Sequence, residues 1–169
     1  GQILVGDQGQ SKISRVFMEK VNGEYQGAAW DFRSGFQSGV LRMAWGKALE
    51  GAPDAPGSCY VLVPAPRGKP PYLFDFMFEG GKFSRIDVRT DAVAAPGGGA
   101  LGMSADDIVG RYPGAQAMPH KYVEGARTLR VKDSAGGNGA LVFETDARGI
   151  VVAWRIGVPP QVDYVEGCG

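Results

Sequence analysis

Few side chains in this sequence are of a type and spacing that could do chemistry. His120 is the one histidine in 169 residues. A Ser-His-Asp triad or a zinc site would have to be built around that imidazole alone, with neither a second imidazole nor a thiol cluster beside it. In PHKYVEG it follows a proline, which reads as a surface loop with a structural or contact role. Residues 97–102 (GGGALG) satisfy G-x-G-x-x-G. That pattern holds a dinucleotide only where a strand leads into it and a βαβ unit surrounds it. Here AVAAP leads in and hairpin-like segments follow, so a hinge is expected. Asp106 and Asp107 fall in a first helical turn, where the helix dipole accounts for carboxylates without a metal. Glu79, Asp87, Glu144 and Asp146 flank turns and show no spacing suited to glycosidase chemistry. The residues therefore predict no catalytic set, no metal ligands, no cofactor and no enzyme.

Two polar-aromatic stretches remain, PHKYVEG and PPQVDYVEGC. Each sets a glutamate two residues after a tyrosine, a combination suited to sugar stacking or to a protein-interface hot spot. A tyrosine that merely covers a sheet edge has the same sequence signature. The candidate ligand-binding residues are His120, Lys121, Tyr122 and Glu124, with Arg155, Tyr164 and Glu166 as neighbours.

The elements that must position these residues are short strands. Glycine, at 27 residues, clusters with proline between apolar runs, the mark of many strands and tight turns. Ile13–Val21 alternates as a strand, and Asn22-Gly23 after it is a strong hairpin signal. Val40–Trp45 is expected as a short helix ended by Gly46, and Cys59–Val63 as a strand. Leu73–Glu79 and Lys82–Arg89 form a hairpin about Gly80-Gly81, with Phe74, Phe76 and Phe78 on one face. Ser104 with Asp107 makes a capping-box-like start to a second helix, stapled by Met103 and Ile108 and stopped at Tyr112 by Pro113-Gly114. Strands follow at Thr128–Lys132, Ala140–Thr145 and Ile150–Gly157, with Ile150, Val152, Trp154 and Ile156 assigned to one face and Val151, Ala153 and Arg155 to the other.

Leu41 and Ile108, Trp45 and Tyr112, Gly46 and Gly114, Gly81 and Gly149, and Val88 and Ile156 are offset by 67 or 68 residues, which suggests a tandem repeat. The expected fold is α+β, two tandem helix-plus-antiparallel-sheet modules with an additional N-terminal β-hairpin. The units are residues 1–37 (hairpin extension), 38–91 (first module), 92–102 (flexible Gly/Pro-rich linker) and 103–169 (second module and tail).

Eighteen basic residues balance eighteen acidic ones without a basic run, which argues against a nucleic-acid partner. No apolar segment approaches the ~20 residues a spanning helix needs. The opening GQILVGDQGQ lacks a leader pattern, so the chain reads as cytoplasmic or as a mature form whose leader has been removed. Cys59 and Cys168 have no metal-type spacing. They are either buried thiols or a disulfide that ties the first module to the tail, stabilising by about 4–5 kcal/mol in the loop-entropy model. The disulfide is the expectation, and with it a secreted or periplasmic location.

The stretch GDQGQSKISRVFMEKVNGEYQGA, with FRSGFQSGVLRMAWG after it, resembles part of the β-propeller of quinoprotein glucose/sorbosone-dehydrogenase-like proteins. A propeller needs several blades of about 40 residues, so catalysis does not carry over from this stretch. It implies at most an oxidoreductase-related fragment. The pattern GMS-x-x-x-I-x-x-x-Y-x-G followed by strands is similar to the repeat of the β-lactamase inhibitory protein and to SmpA/OmlA-type outer-membrane lipoproteins, the latter implying a structural cell-envelope component. CYVLVP, FMFEGGKFSRIDV, APGGGALGMS, PHKYVEGARTLRV, LVFETDARG and PPQVDYVEGC, within residues 45–169, resemble small secreted lectin-like proteins of xanthomonad-type bacteria. The inhibitor-like and lectin-like resemblances, with the missing catalytic set, imply a non-catalytic binding protein that recognises a glycan or a protein partner through loops and one sheet face.

Overall fold

The structure, a computed structural model, describes residues 2–3, 16–21, 24–29, 48–133 and 136–168. Strands β1 (Gln2–Ile3), β2 (Val16–Val21) and β3 (Glu24–Ala29) form one three-stranded sheet. Val21 stands opposite Glu24, as the Asn22-Gly23 signal predicts. The helix expected over residues 40–45 lies outside the described residues.

The larger sheet contains β4 (Leu49–Glu50), β5 (Tyr60–Pro64), β6 (Phe74–Glu79), β7 (Lys82–Val88), β8 (Gln116–Pro119), β9 (Arg127–Lys132), β10 (Ala140–Thr145) and β11 (Val151–Gly157). Its spatial order is β4-β5-β6-β7-β11-β10-β9-β8, antiparallel throughout. The tight β6–β7 turn depends on Gly80 and Gly81, at φ +59° and +75°, a left-handed pair that matches the twist of the flanking strands.

This sheet overturns the expected α+β arrangement of two helix-plus-sheet modules. Val88 pairs with Trp154 and Ile86 with Ile156, so β7 and β11 zip the two halves into a single eight-stranded sheet. Only one α-helix, α1 (Ala105–Arg111), occurs among the described residues. The physical reason is that both β7 and β11 would otherwise present long unpaired edges lined with apolar side chains, and pairing them satisfies those edges. Among the described residues the secondary structure is therefore mostly β.

One face of the sheet carries the core. Val88, Leu129, Leu141, Phe143, Val151 and Trp154 pack against Ala105, Ile108 and Tyr112. Leu62, Phe76, Phe78 and Phe83 continue the same face, with Ile86 touching both clusters. Helix α1 sits on this face as its caps require. Ser104 Oγ accepts from the Asp107 N–H at 3.1 Å, and the Asp107 carboxylate accepts from the Ser104 N–H at 3.2 Å. Residues 92–102, expected as a flexible linker, are folded onto the core: Ala95 is fully buried, and the Gly99 N–H donates to Tyr112 Oη at 2.8 Å. A β-bulge between Glu144 and Thr145 shifts the register by one, which puts Val151 inside and leaves Val152 exposed, the reverse of their expected faces.

Candidate functional site

The opposite face of the sheet is polar, and strand pairing explains its layout. Asp75 lies across from Asp87, Asp87 from Arg155, Arg155 from Val142, Val142 from Arg130, and Arg130 from Gln116. One row thus crosses six strands and is charged on four of them. Arg85 forks onto Asp87 at 2.5 and 2.8 Å, and Arg89 reaches Asp75 at 2.6 Å and Asp87 at 3.6 Å. Burial and the neighbouring Asp87 carboxylate raise Asp75 to about 6, against the opposing pull of Arg89. Arg89 is itself held above its ordinary value: the charges of Asp75 and Asp87 outweigh the opposing effect of its burial.

The tail after β11 crosses this face. Its short 3₁₀ turn, Gln161–Asp163, seats Val162 at 0% exposure on Ala140 and Val142. Arg85, only 3% exposed, donates to the carbonyls of Gln161 (2.8 Å) and Tyr164 (2.6 Å). Arg155, 4% exposed, donates to the Val162 carbonyl at 2.6 Å and pairs with Glu144. Arg130 reaches Asp163 at 2.7 Å, and Gln161 donates to Glu79 at 2.5 Å. Guanidinium groups at the carboxyl end of a helical turn satisfy its outward carbonyls and oppose its negative dipole end. The tail ends in a disulfide between Cys168 and Cys59, just ahead of β5.

Of the candidate ligand-binding residues, the structure gathers four. The loop between β8 and β9 brings Tyr122 to the tail, where its hydroxyl donates to the Glu166 carboxylate. Lys121 Nζ lies 4.7 Å from the centre of the Tyr122 ring and 4.0 Å from Glu166. The bond with Tyr122, followed by the charge of Glu166, raises Lys121 above the ordinary lysine value. His120 holds the loop from within: its Nδ1 accepts from the N–H groups of Tyr122 and Val123, each at 3.2 Å, and its ring meets that of Tyr122 edge-on. Glu124 is exposed on the same loop. Arg155 and Tyr164 belong elsewhere. Arg155 is buried under the tail, and Tyr164 is half-buried with its carbonyl bound to Arg85.

Sequence reasoning missed two features. Met118 and Val123 are exposed near Tyr122, on the all-exposed edge strand β8 and its loop. The Asp75–Asp87–Arg89 cluster was also missed. Alternation in FDFMFE and RIDVR puts those residues on one face, but only the strand register shows that they meet. Among the described residues no helix is long and apolar enough to cross a membrane, and no three His, Cys, Asp or Glu side chains gather as metal ligands.

No family model matches the chain, and no curated protein does. Among solved structures it is similar to an extracellular protein containing a SCP domain from Bacillus anthracis str. Ames, at 14% identity and a TM-score of 0.46. That match covers 74% of this chain and 44% of the other, so the chain spans less than half the length of that structure. A likeness of this size carries no conclusion about function.

Proposed function

We propose that this is a secreted or periplasmic, non-catalytic binding protein that engages a protein partner through a rim made by Lys121, Tyr122 and Glu166, with Met118 and Val123 beside it. One observation carries the reading. Tyr122 is 54% exposed, and its hydroxyl donates to Glu166 from a segment 44 residues away. An exposed tyrosine tethered in this way offers both an apolar ring and a polar tip to a partner. Exposed methionine and valine around it, edged by Lys121, Glu124 and Glu166, give the apolar centre and charged surround of a protein interface. The disulfide supports an oxidising compartment.

The test is affinity capture from cell-envelope and culture-supernatant fractions, with the oxidised wild type and Tyr122→Ala compared side by side. A glycan array is screened in parallel. A protein partner whose affinity falls about 30-fold in the variant supports the reading, as the loss of a hot-spot side chain would predict. Saturable glycan binding lost in the variant moves the partner to a sugar. Equal binding by wild type and variant removes the rim from the site.

A further inference from the structure

The tail is attached in two unequal halves. Residues 161–164 are held by Arg85, Arg155, Arg130 and the Gln161–Glu79 bond, with Val162 fully buried beneath them. Charge-assisted bonds from buried guanidinium groups are the strong kind. Past Tyr164 the polar attachments among the described residues are those of Glu166 to Tyr122 and Lys121. The Lys121 and Glu166 side chains are 63% and 64% exposed, so their ion pair contributes little. Besides the Tyr122–Glu166 bond, the covalent tie of residues 165–168 is the bond from Cys168 to Cys59.

We propose that Cys59–Cys168 is a thiol-operated latch on the binding rim. Closed, it holds Glu166 against Tyr122 and Lys121. Opened, it frees residues 165–168 and loosens the 120–124 loop, while residues 161–164 and the sheet stay folded. The inference rests on the rim reading above for its functional meaning. Both cysteines are half-buried, and Cys59 follows the exposed loop 52–57, so an attacking thiolate can reach the bond. The reductant is a dithiol. One of its thiolates attacks a latch sulfur, forming a mixed disulfide and releasing the other cysteine as a thiolate. The second thiol, as its thiolate, then attacks the dithiol sulfur of the mixed disulfide and releases the cysteine still held there. The dithiol is oxidised to its own disulfide, and its two protons end on Cys59 and Cys168.

Hydrogen exchange read by mass spectrometry tests this, comparing the oxidised protein, the same protein under dithiothreitol, and oxidised Glu166→Ala. The Tyr122 and Val123 amides, which donate to His120, are the reporters. Reduction is expected to speed exchange in residues 120–124 and 165–168 by about tenfold at labelling times of seconds to minutes, at which 161–164 and the large sheet, though less stable overall, stay protected. Glu166→Ala, which leaves both sulfurs in place, is expected to speed the 120–124 segment alone. Unchanged exchange at 120–124 in either arm overturns the latch. So does loss of protection through the whole sheet at those short times, which would mean that the reduced protein does not stay folded. Exchange needs no partner, so the latch stands or falls on it even if Tyr122→Ala leaves binding untouched, a result that sinks only the rim.

Discussion

At the scale of single residues, the pair Asp75 and Asp87 sets the pH response. Two carboxyls face one another across β6 and β7, and Arg89 bridges them without cancelling the cost of burying both. Asp75 is raised from 3.8 to about 6, so its contribution to stability is fully present below the unfolded value and is lost as pH rises through about 6. Asp107 is lowered by its bonds with Ser104, and Asp146 by the Ile150 N–H and then Arg148. Their contributions are present above the ordinary carboxylate value and are lost only as pH falls below it. Between about pH 4 and 6 the Asp75 effect therefore dominates. We expect the wild type to gain stability from pH 7 to pH 5, by about 1 kcal/mol, and Asp75→Asn to lose that slope. Urea unfolding at a series of pH values measures both. Little of this was legible in the sequence. A carboxylate near a hairpin turn is usually solvated, and only the partner strand shows which carboxylate it meets. The Tyr122–Glu166 contact is the contrary case: both residues stood out as tyrosine–glutamate stretches, although nothing local announced that the two stretches touch.

Among the elements, the helix was the most readable, because its signals are local. Ser104, Asp107, Met103 and Ile108 lie within six residues, and each takes the place that its type favours. Tyr112 then links α1 to the glycine loop: its hydroxyl accepts from the Gly99 N–H and donates to the Pro96 carbonyl at 2.7 Å. Tyr112→Phe leaves that N–H without its partner, and we expect a loss of about 1–3 kcal/mol in chemical unfolding. Gly99→Ala should be worse than a typical surface change, since its Cβ would stand 2.5 Å from Phe143 Cζ and 2.8 Å from the Tyr112 hydroxyl. A lowered Tm with an unchanged urea slope would show that both variants weaken packing without changing the fold. Strand β8 was invisible to pattern reading, because all four of its residues are exposed and no alternation marks them. The bulge at Glu144 and Thr145 defeated the face assignment of Val151 and Val152 for a related reason: one extra residue reverses every face beyond it.

For the whole molecule, the decisive pairing is the least local one. The β6–β7 and β10–β11 hairpins could each be read from a few residues around a turn, and each is present. That β7 then pairs with β11 depends on residues more than sixty positions apart, and no turn signal or period records it. The two-module expectation failed at that one junction. The disulfide, by contrast, was open to inference, because the chain has only two cysteines. Reducing it should cost about 4–5 kcal/mol of global stability through the freedom regained by the unfolded chain. For a chain of this length that lowers Tm by roughly 10–20 °C, measurable by calorimetry with and without a dithiol.

The same bond has a mechanical consequence. Cys59 and Cys168 stand 109 positions apart, so every strand from β5 to β11 lies inside one covalent ring. A force pulling on the chain from outside that ring passes through the two sulfurs and leaves the strands between them unloaded. In an optical trap the oxidised protein should pay out only the segments outside the ring. After reduction, a further extension of roughly 370 Å should appear, the contour of the released strands. An oxidised chain that lengthened by that amount would show that the ring does not carry the load.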